Sequence, residues 1–343
     1  MATDKTKLTE LGTAVGLFVE PDAPWPAPVE HLDIPGLPAE CWQPVVLPAT
    51  ATTHPDRHLL QRAISNGQAF RARVLRGRRP DRLDWSAGGR NTWLSDIPRD
   101  LTVDGVWFIQ AKYDSTCVLN TAPATLVDHL LLDDGAGTRD SWYEAVALEP
   151  LQAYYRFVRG RTPDGDDLPA DVRDLDREHK GTLKGFMRAT TPTAEEDDAY
   201  RALCHAVSLE TALRWEHRLR ASTASQRTQM LFRMLRIAGG PYWLLGTKGT
   251  RPVQLAVADT RTWRERFTLK RFAVRAAQAG QPQVEWRATV TDVATGAARH
   301  VEGLCEIRWS HGKLQGHPEC KVQVTTALGD LPGYDALDGP GRA

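Results

Sequence analysis

The sequence predicts a mixed α/β (α+β) protein, and three observations carry that prediction. Residues 54–76 place Leu59, Leu60, Ala63, Ile64, Phe70 and Val74 at close to helical spacing. Residues 83–113 then switch to short strand-like runs punctuated by Gly88-Gly89 and Asp104-Gly105, the pattern of a meander. Beyond a helical stretch that stops at Gly239-Gly240-Pro241, strand-like runs dominate: YWLLG, VQLAVAD, FTLKRFAV, VEWRATVTD, LCEIRWS and KVQV.

Taken in order, residues 1–53 hold many of the prolines (Pro21, Pro24, Pro26, Pro28, Pro35, Pro38, Pro44, Pro48), which predicts an irregular arm. Residues 54–162 read as a core of helix, short meander and a second helix at 141–159, with Pro150 marking a kink. Residues 163–200 are rich in acid, Gly and Pro and read as a linker or hinge, with Glu195, Glu196, Asp197 and Asp198 opening a further helix. Residues 201–343 read as a helical plus β-rich C-terminal module. A length of 343 residues suits roughly two domains, and 41% hydrophobic with 25% charged residues excludes bulk disorder.

Lys+Arg and Asp+Glu are both 43, so any polyanion must be met by a local basic patch. The five cysteines, Cys41, Cys117, Cys204, Cys305 and Cys320, form no CxxC pair, which argues against a disulfide framework. The charged N-terminus lacks an apolar signal core, and no run approaches a membrane span. The expectation is a cytoplasmic protein.

Residues 98–113 are the most informative stretch. Alternation on a strand puts Gln110 and Lys112 on one face of VWFIQAKY. A two-residue Asp104-Gly105 turn would pair Asp100 with Ile109, on the wrong face. A three-residue Val103-Asp104-Gly105 turn would pair Asp100 with Phe108 and bring Asp100, Gln110 and Lys112 to one patch. A carboxylate, an amide oxygen and an ammonium together suit metal-assisted phosphodiester hydrolysis: the oxygens hold Mg²⁺, and the ammonium orients water and steadies phosphate charge.

The run Pro98-Arg99-Asp100, nine residues, then Gln110-Ala111-Lys112 resembles the signature of the PD-(D/E)xK nuclease superfamily, in the QxK variant of Mrr-like restriction enzymes. The resemblance spans roughly residues 54–160. It implies Asp100 as metal ligand, Gln110 in place of the second acidic ligand, Lys112 as the catalytic lysine and Mg²⁺ (or Mn²⁺) as cofactor. A helix before the hairpin often adds a Glu or Gln in that superfamily, for which Gln61, with Gln68 behind it, is the candidate. The helix at 141–159 would complete the core, and Asp104 or Glu144 could add a further acid. DNA is the favoured substrate, in a bacterial restriction or anti-phage setting, with a homodimer or a defence-complex partner expected. The alternatives are a non-catalytic nucleic-acid-binding or scaffold subunit and an antibacterial nuclease toxin.

Three other constellations stand beside this one. Arg214, Arg218, Arg220, Arg227 and Arg233 surround Glu216 in one helical stretch and could grip a nucleic-acid backbone, or merely face water. Glu319-Cys320-Lys321, with Glu306 upstream, is a second ExK, read as a solvated terminal hairpin. Cys305, His311, His317 and Cys320 lack the short ligand knuckles of a zinc site and read as buried thiols with loop histidines.

Overall fold

A computed structural model describes residues 4–20, 29–86, 97–114, 117–132, 141–163, 165–277 and 280–337, so the Gly88-Gly89 turn and Pro21 to Pro28 lie outside the described residues. In chain order it contains α1 (Asp4–Gly16), α2 (Ala39–Val46), α3 (Arg57–Arg73), β1 (Leu83–Trp85), β2 (Leu101–Val103), β3 (Trp107–Tyr113), β4 (Cys117–Thr121) and α4 (Pro123–Val127). Then come α5 (Trp142–Arg161), α6 (Arg177–Ala189), α7 (Ala194–Ala221), α8 (Ala224–Met234), β5 (Tyr242–Lys248), β6 (Arg251–Val257) and α9 (Thr260–Arg266). β7 (Phe267–Ala277), β8 (Gln283–Asp292), β9 (Ala298–Trp309), β10 (Pro318–Val324) and β11 (Tyr334–Ala336) complete the chain. These elements form two compact units: 1–116, 236–267 and 327–343 make the first, 117–235 and 268–326 the second.

The first unit is built on a mixed sheet of order β1-β2-β3-β5-β6-β11. β1, β2 and β3 form the expected antiparallel meander, β5 runs parallel to β3, and β6 and β11 return antiparallel. Leu83, Leu101, Val103, Ile109 and Leu245 join one buried cluster with Leu8, Leu11 and Val15 of α1 and Leu60, Ile64 and Phe70 of α3. α1 and α3 meet through glycines. A Cβ on Gly16 would lie 2.1 Å from the Ile64 carbonyl oxygen, and one on Gly67 would lie 2.2 Å from the Thr13 carbonyl oxygen. Asn66, fully buried on α3, donates to the Gly246 carbonyl on β5 (2.8 Å) and accepts from Gln254 on β6 (2.9 Å), tying the helix layer to the sheet.

The N-terminal segment is therefore not an irregular arm. α1 escapes the periodicity signal because every residue from Leu8 to Gly16 is buried, so it shows no apolar stripe against a polar one. Its polar positions are satisfied locally: the Thr9 and Thr13 hydroxyls donate to the carbonyls of Lys5 and Thr9, both at 2.8 Å.

The second unit packs α5 and α7 with a five-stranded sheet of order β4-β10-β9-β8-β7. Strict alternation buries Val284, Trp286, Ala288 and Val290 of β8 with Val301, Cys305 and Ile307 of β9. The helix at 141–159 is α5, and it belongs to this unit, with non-helical φ/ψ at Ala147, close to the position whose neighbouring carbonyl meets the Pro150 ring. The expected helix from Leu203 to Ala238 is two: α7 stops at Ser222, and Thr223 opens α8 with a capping box closed by Gln226. The expected 163–200 hinge carries α6 and the first two turns of α7, and 201–343 is not one module, since 236–267 and 327–337 build the first unit. β10 pairs antiparallel with β9 across one loop, as the expected hairpin does, but it is an interior strand, flanked on its other side by β4.

Gly67→Ala forces a Cβ into the Thr13 carbonyl and is expected to cost about 2 kcal/mol in urea unfolding. Gly181→Ala, mid-α6 with nothing within 4 Å of the added Cβ, is expected to be neutral or stabilising by about 0.5–1 kcal/mol. Equal, small effects at both positions would contradict the close helix approach.

Candidate active site

The β2–β3 turn follows neither register considered from the sequence. Asp104 (φ 52°) and Gly105 (φ 70°) both adopt left-handed backbone, and the Val106 N–H returns to the Val103 carbonyl at 3.1 Å, as in a type I′ turn. The ladder nevertheless pairs Val103 with Trp107 and Leu101 with Ile109, leaving Val106 as an extra residue, 62% exposed. At the far end, the Asp100 N–H donates to the Ile109 carbonyl (2.8 Å), so Asp100 and Leu101 both stand against Ile109, the two-against-one pattern of a bulge.

That irregularity places the Asp100 carboxylate. Its Oδ2 accepts the Ala111 N–H at 2.7 Å, where a regular β2 would have offered a backbone carbonyl. Burial pushes the carboxyl pKa upward, against the Ala111 hydrogen bond and the positive charge of Lys112, which both pull it down. Asp100 is thus a desolvated carboxylate electrostatically coupled to Lys112.

A second carboxyl, absent from the sequence-based site, joins it. Glu10 on α1 is 4% exposed and its Oε2 accepts the Trp85 Nε1–H at 2.8 Å. Burial raises its pKa from the ordinary 4.5 to about 7; the Trp85 hydrogen bond opposes, the neighbouring Asp100 charge adds to the rise, and Lys7 opposes it. Two desolvated carboxyls, one raising the pKa of the other and itself coupled to a lysine, repel each other in a way that a divalent cation would relieve.

Gln110 and Lys112 share a face of β3, as alternation requires, while Ile109 and Ala111 take the opposite, buried face; Tyr113, on the α1 side with them, approaches Lys5 (3.5 Å). The Gln110 amide makes no side-chain hydrogen bond among the described residues. Gln61 lies on the exposed side of α3, away from Leu60, Ile64 and Gly67, and does not join the carboxylates; Gln68 donates to the Glu20 carbonyl at 3.0 Å. Asp104 is occupied at the turn, pairing with Arg78 and accepting the N–H groups of Asp81 (2.8 Å) and Arg82 (3.0 Å), which hold its pKa low against burial. Glu144 belongs to α5 of the second unit.

The arginines read as a possible phosphate grip are largely engaged by the protein. Arg214 chelates Asp128 (2.6 and 2.9 Å) and lies over Trp142, Arg220 pairs with Glu216 (2.7 Å), and Arg227 caps the end of α7 through the carbonyls of Leu219 and Ser222. Arg218 is exposed on α7 and Arg233 is half-buried on α8. Glu319 accepts from Asn120 (3.1 Å), and Lys321 faces Glu306 across the ladder, so the second ExK is woven into cross-strand pairing. Cys305 and Cys320 are buried and in no disulfide; no group of three or more His, Cys, Asp or Glu able to hold a metal occurs among the described residues. No helix of the described residues is long and apolar enough to cross a membrane.

Because folded Glu10 keeps its proton to about pH 7 while the unfolded chain releases it near 4.5, the folded state binds more protons between these values. Stability should therefore fall as pH rises from 4.5 to 7, and Glu10→Gln should flatten that fall by up to about 3 kcal/mol. Parallel stability profiles for the two proteins would refute the buried, proton-holding carboxyl. No protein-family model, curated protein or solved structure matches the chain.

Proposed function

We propose that this chain is a divalent-metal-dependent nuclease of PD-(D/E)xK type, hydrolysing phosphodiester bonds of nucleic acid, with DNA the favoured substrate. The observation that supports the reading is the partly buried Asp100 carboxylate, whose charge is felt by Glu10 and which feels that of Lys112, in a helix–meander context. The residue types fit the metal: Mg²⁺ takes oxygen ligands, is satisfied by one or two carboxylates, and keeps several waters. Asp100 and Glu10 would hold it, with the Gln110 amide oxygen as a neutral neighbour on the Lys112 face. When bound, Mg²⁺ supplies Lewis acidity, which lowers the pKa of a ligated water and offsets phosphate charge.

The chain's own groups do the rest. Asp100 is fixed by the Ala111 N–H, so its orientation does not depend on substrate. Lys112 presents an ammonium that can orient the attacking water and stabilise the extra negative charge on the phosphoryl oxygens as the bond to the leaving oxygen lengthens. Glu10 must lose its proton before it can serve as a ligand, which sets the pH dependence: metal binding and cleavage should rise with pH through about 7. A restriction or anti-phage setting follows from the superfamily analogy alone.

Purified protein incubated with supercoiled plasmid, linear DNA and RNA in Mg²⁺, Mn²⁺ or EDTA tests this. Divalent-dependent cutting is expected, reduced about 10²-fold or more in Lys112→Ala and in Asp100→Asn. Cutting that survives both substitutions would move the chemistry elsewhere in the chain. Absence of cutting on every substrate, with salt-sensitive nucleic-acid binding intact, would favour a binding or scaffold subunit.

A further inference from the structure

We propose that the second unit contains a binding site for a small phosphomonoester of mononucleotide size. The site is a cavity of about 480 Å³ between the C-terminal half of α6 and the loop joining β9 to β10. That volume lies in the range of small-ligand pockets. Its walls are held independently of any ligand. Gln315 in the loop donates to the Lys180 carbonyl of α6 at 2.6 Å, the Tyr154 hydroxyl of α5 meets the Met187 sulfur at 3.9 Å, and Arg161 donates to the Thr191 carbonyl at 2.8 Å.

The charge balance of the lining selects an anion. Lys184 and Arg188 from α6 and His311 and Lys313 from the loop all line the cavity, while its one carboxylate, Glu196, is paired with Arg161. Lys184, Arg188 and Lys313 form no ion pair among the described residues. Lys313 is the most telling of the four. Its ammonium sits 3.6 Å from the centroid of the Tyr200 ring and 5.5 Å from that of Tyr154, and it donates no hydrogen bond to any described residue.

An ammonium carries three donors, and one held half-buried against aromatic faces is short of acceptors until something brings them. Burial accordingly lowers the Lys313 pKa, with Asp197 and Glu196 opposing from a distance. A phosphomonoester supplies several acceptor oxygens and up to two negative charges, matching several cations at once. Tyr154, Met187 and Pro192 offer an apolar wall for the organic body attached to it. The same chemistry occurs in free nucleotides and at the 5′-phosphate end of a nucleic-acid strand. The proposal stands apart from the metal site, since every residue it uses lies in the second unit.

Calorimetric titration of the full chain with AMP, inorganic phosphate, a 5′-phosphorylated oligonucleotide and its 5′-hydroxyl counterpart tests it. AMP should bind, and Lys313→Met and Arg188→Ala should each weaken it about tenfold or more. Arg188 is exposed on α6, so Arg188→Ala keeps the test valid should Lys313→Met fail to fold. Binding confined to the 5′-phosphorylated oligonucleotide, and lost in the variants, would assign the site to strand ends. No binding of any probe at millimolar concentration, or affinities unchanged in folded variants, would overturn the site.

Discussion

A buried Glu10 that feels the charge of the partly buried Asp100 is the costliest electrostatic feature of the first unit. Glu10 is buried because α1 is seated deep over the sheet, and glycine allows that seat. Gly12, Gly16 and Gly67 let the two helix backbones approach to a distance that no side chain would permit. The seat is then locked by Asn66, whose amide joins α3 to both β5 and β6. A buried carboxyl raised to about 7 costs stability at neutral pH. The Trp85 hydrogen bond only partly offsets that cost. Strongly raised buried carboxyls are common at active sites and also occur in structural networks.

The backbone irregularity at Asp100 belongs to the same design. In a regular ladder the Ala111 N–H would bond a carbonyl of β2; the bulge ends the pairing one residue early and hands that N–H to a side chain. The carboxylate is thereby fixed within the sheet layer, coupled to Glu10 and to Lys112. The turn at the opposite end of the hairpin is organised by Asp104, whose carboxylate collects two backbone N–H groups and Arg78. Two aspartates four residues apart thus do opposite work, one stiffening the hairpin and one left with capacity for a ligand.

Much of the first unit's hairpin was readable from the sequence. Asp104-Gly105 marks the turn, and alternation places Gln110 and Lys112 together, because both signals depend on residues adjacent in the chain. Glu10 was not readable, since α1 is buried all round and its Thr, Gly and Ala positions carry no amphipathic period. The division into units was also hidden: β3 pairs with β5 across more than a hundred intervening residues that build the other unit, and no local signal encodes that return. The Arg214 partner shows the same limit, because Asp128 lies 86 residues away in sequence. An arginine-rich helix reads as a phosphate grip until its acids are found in space.

The protonation state of Glu10 is the most direct test of the account. Carboxyl ¹³C NMR of glutamate-labelled protein, with Glu10→Gln to assign the resonance, would follow its titration with and without Mg²⁺. A midpoint near 7 is expected in the metal-free protein, moving down when Mg²⁺ is added. A Glu10 midpoint near the ordinary 4.5, unmoved by Mg²⁺, would contradict it.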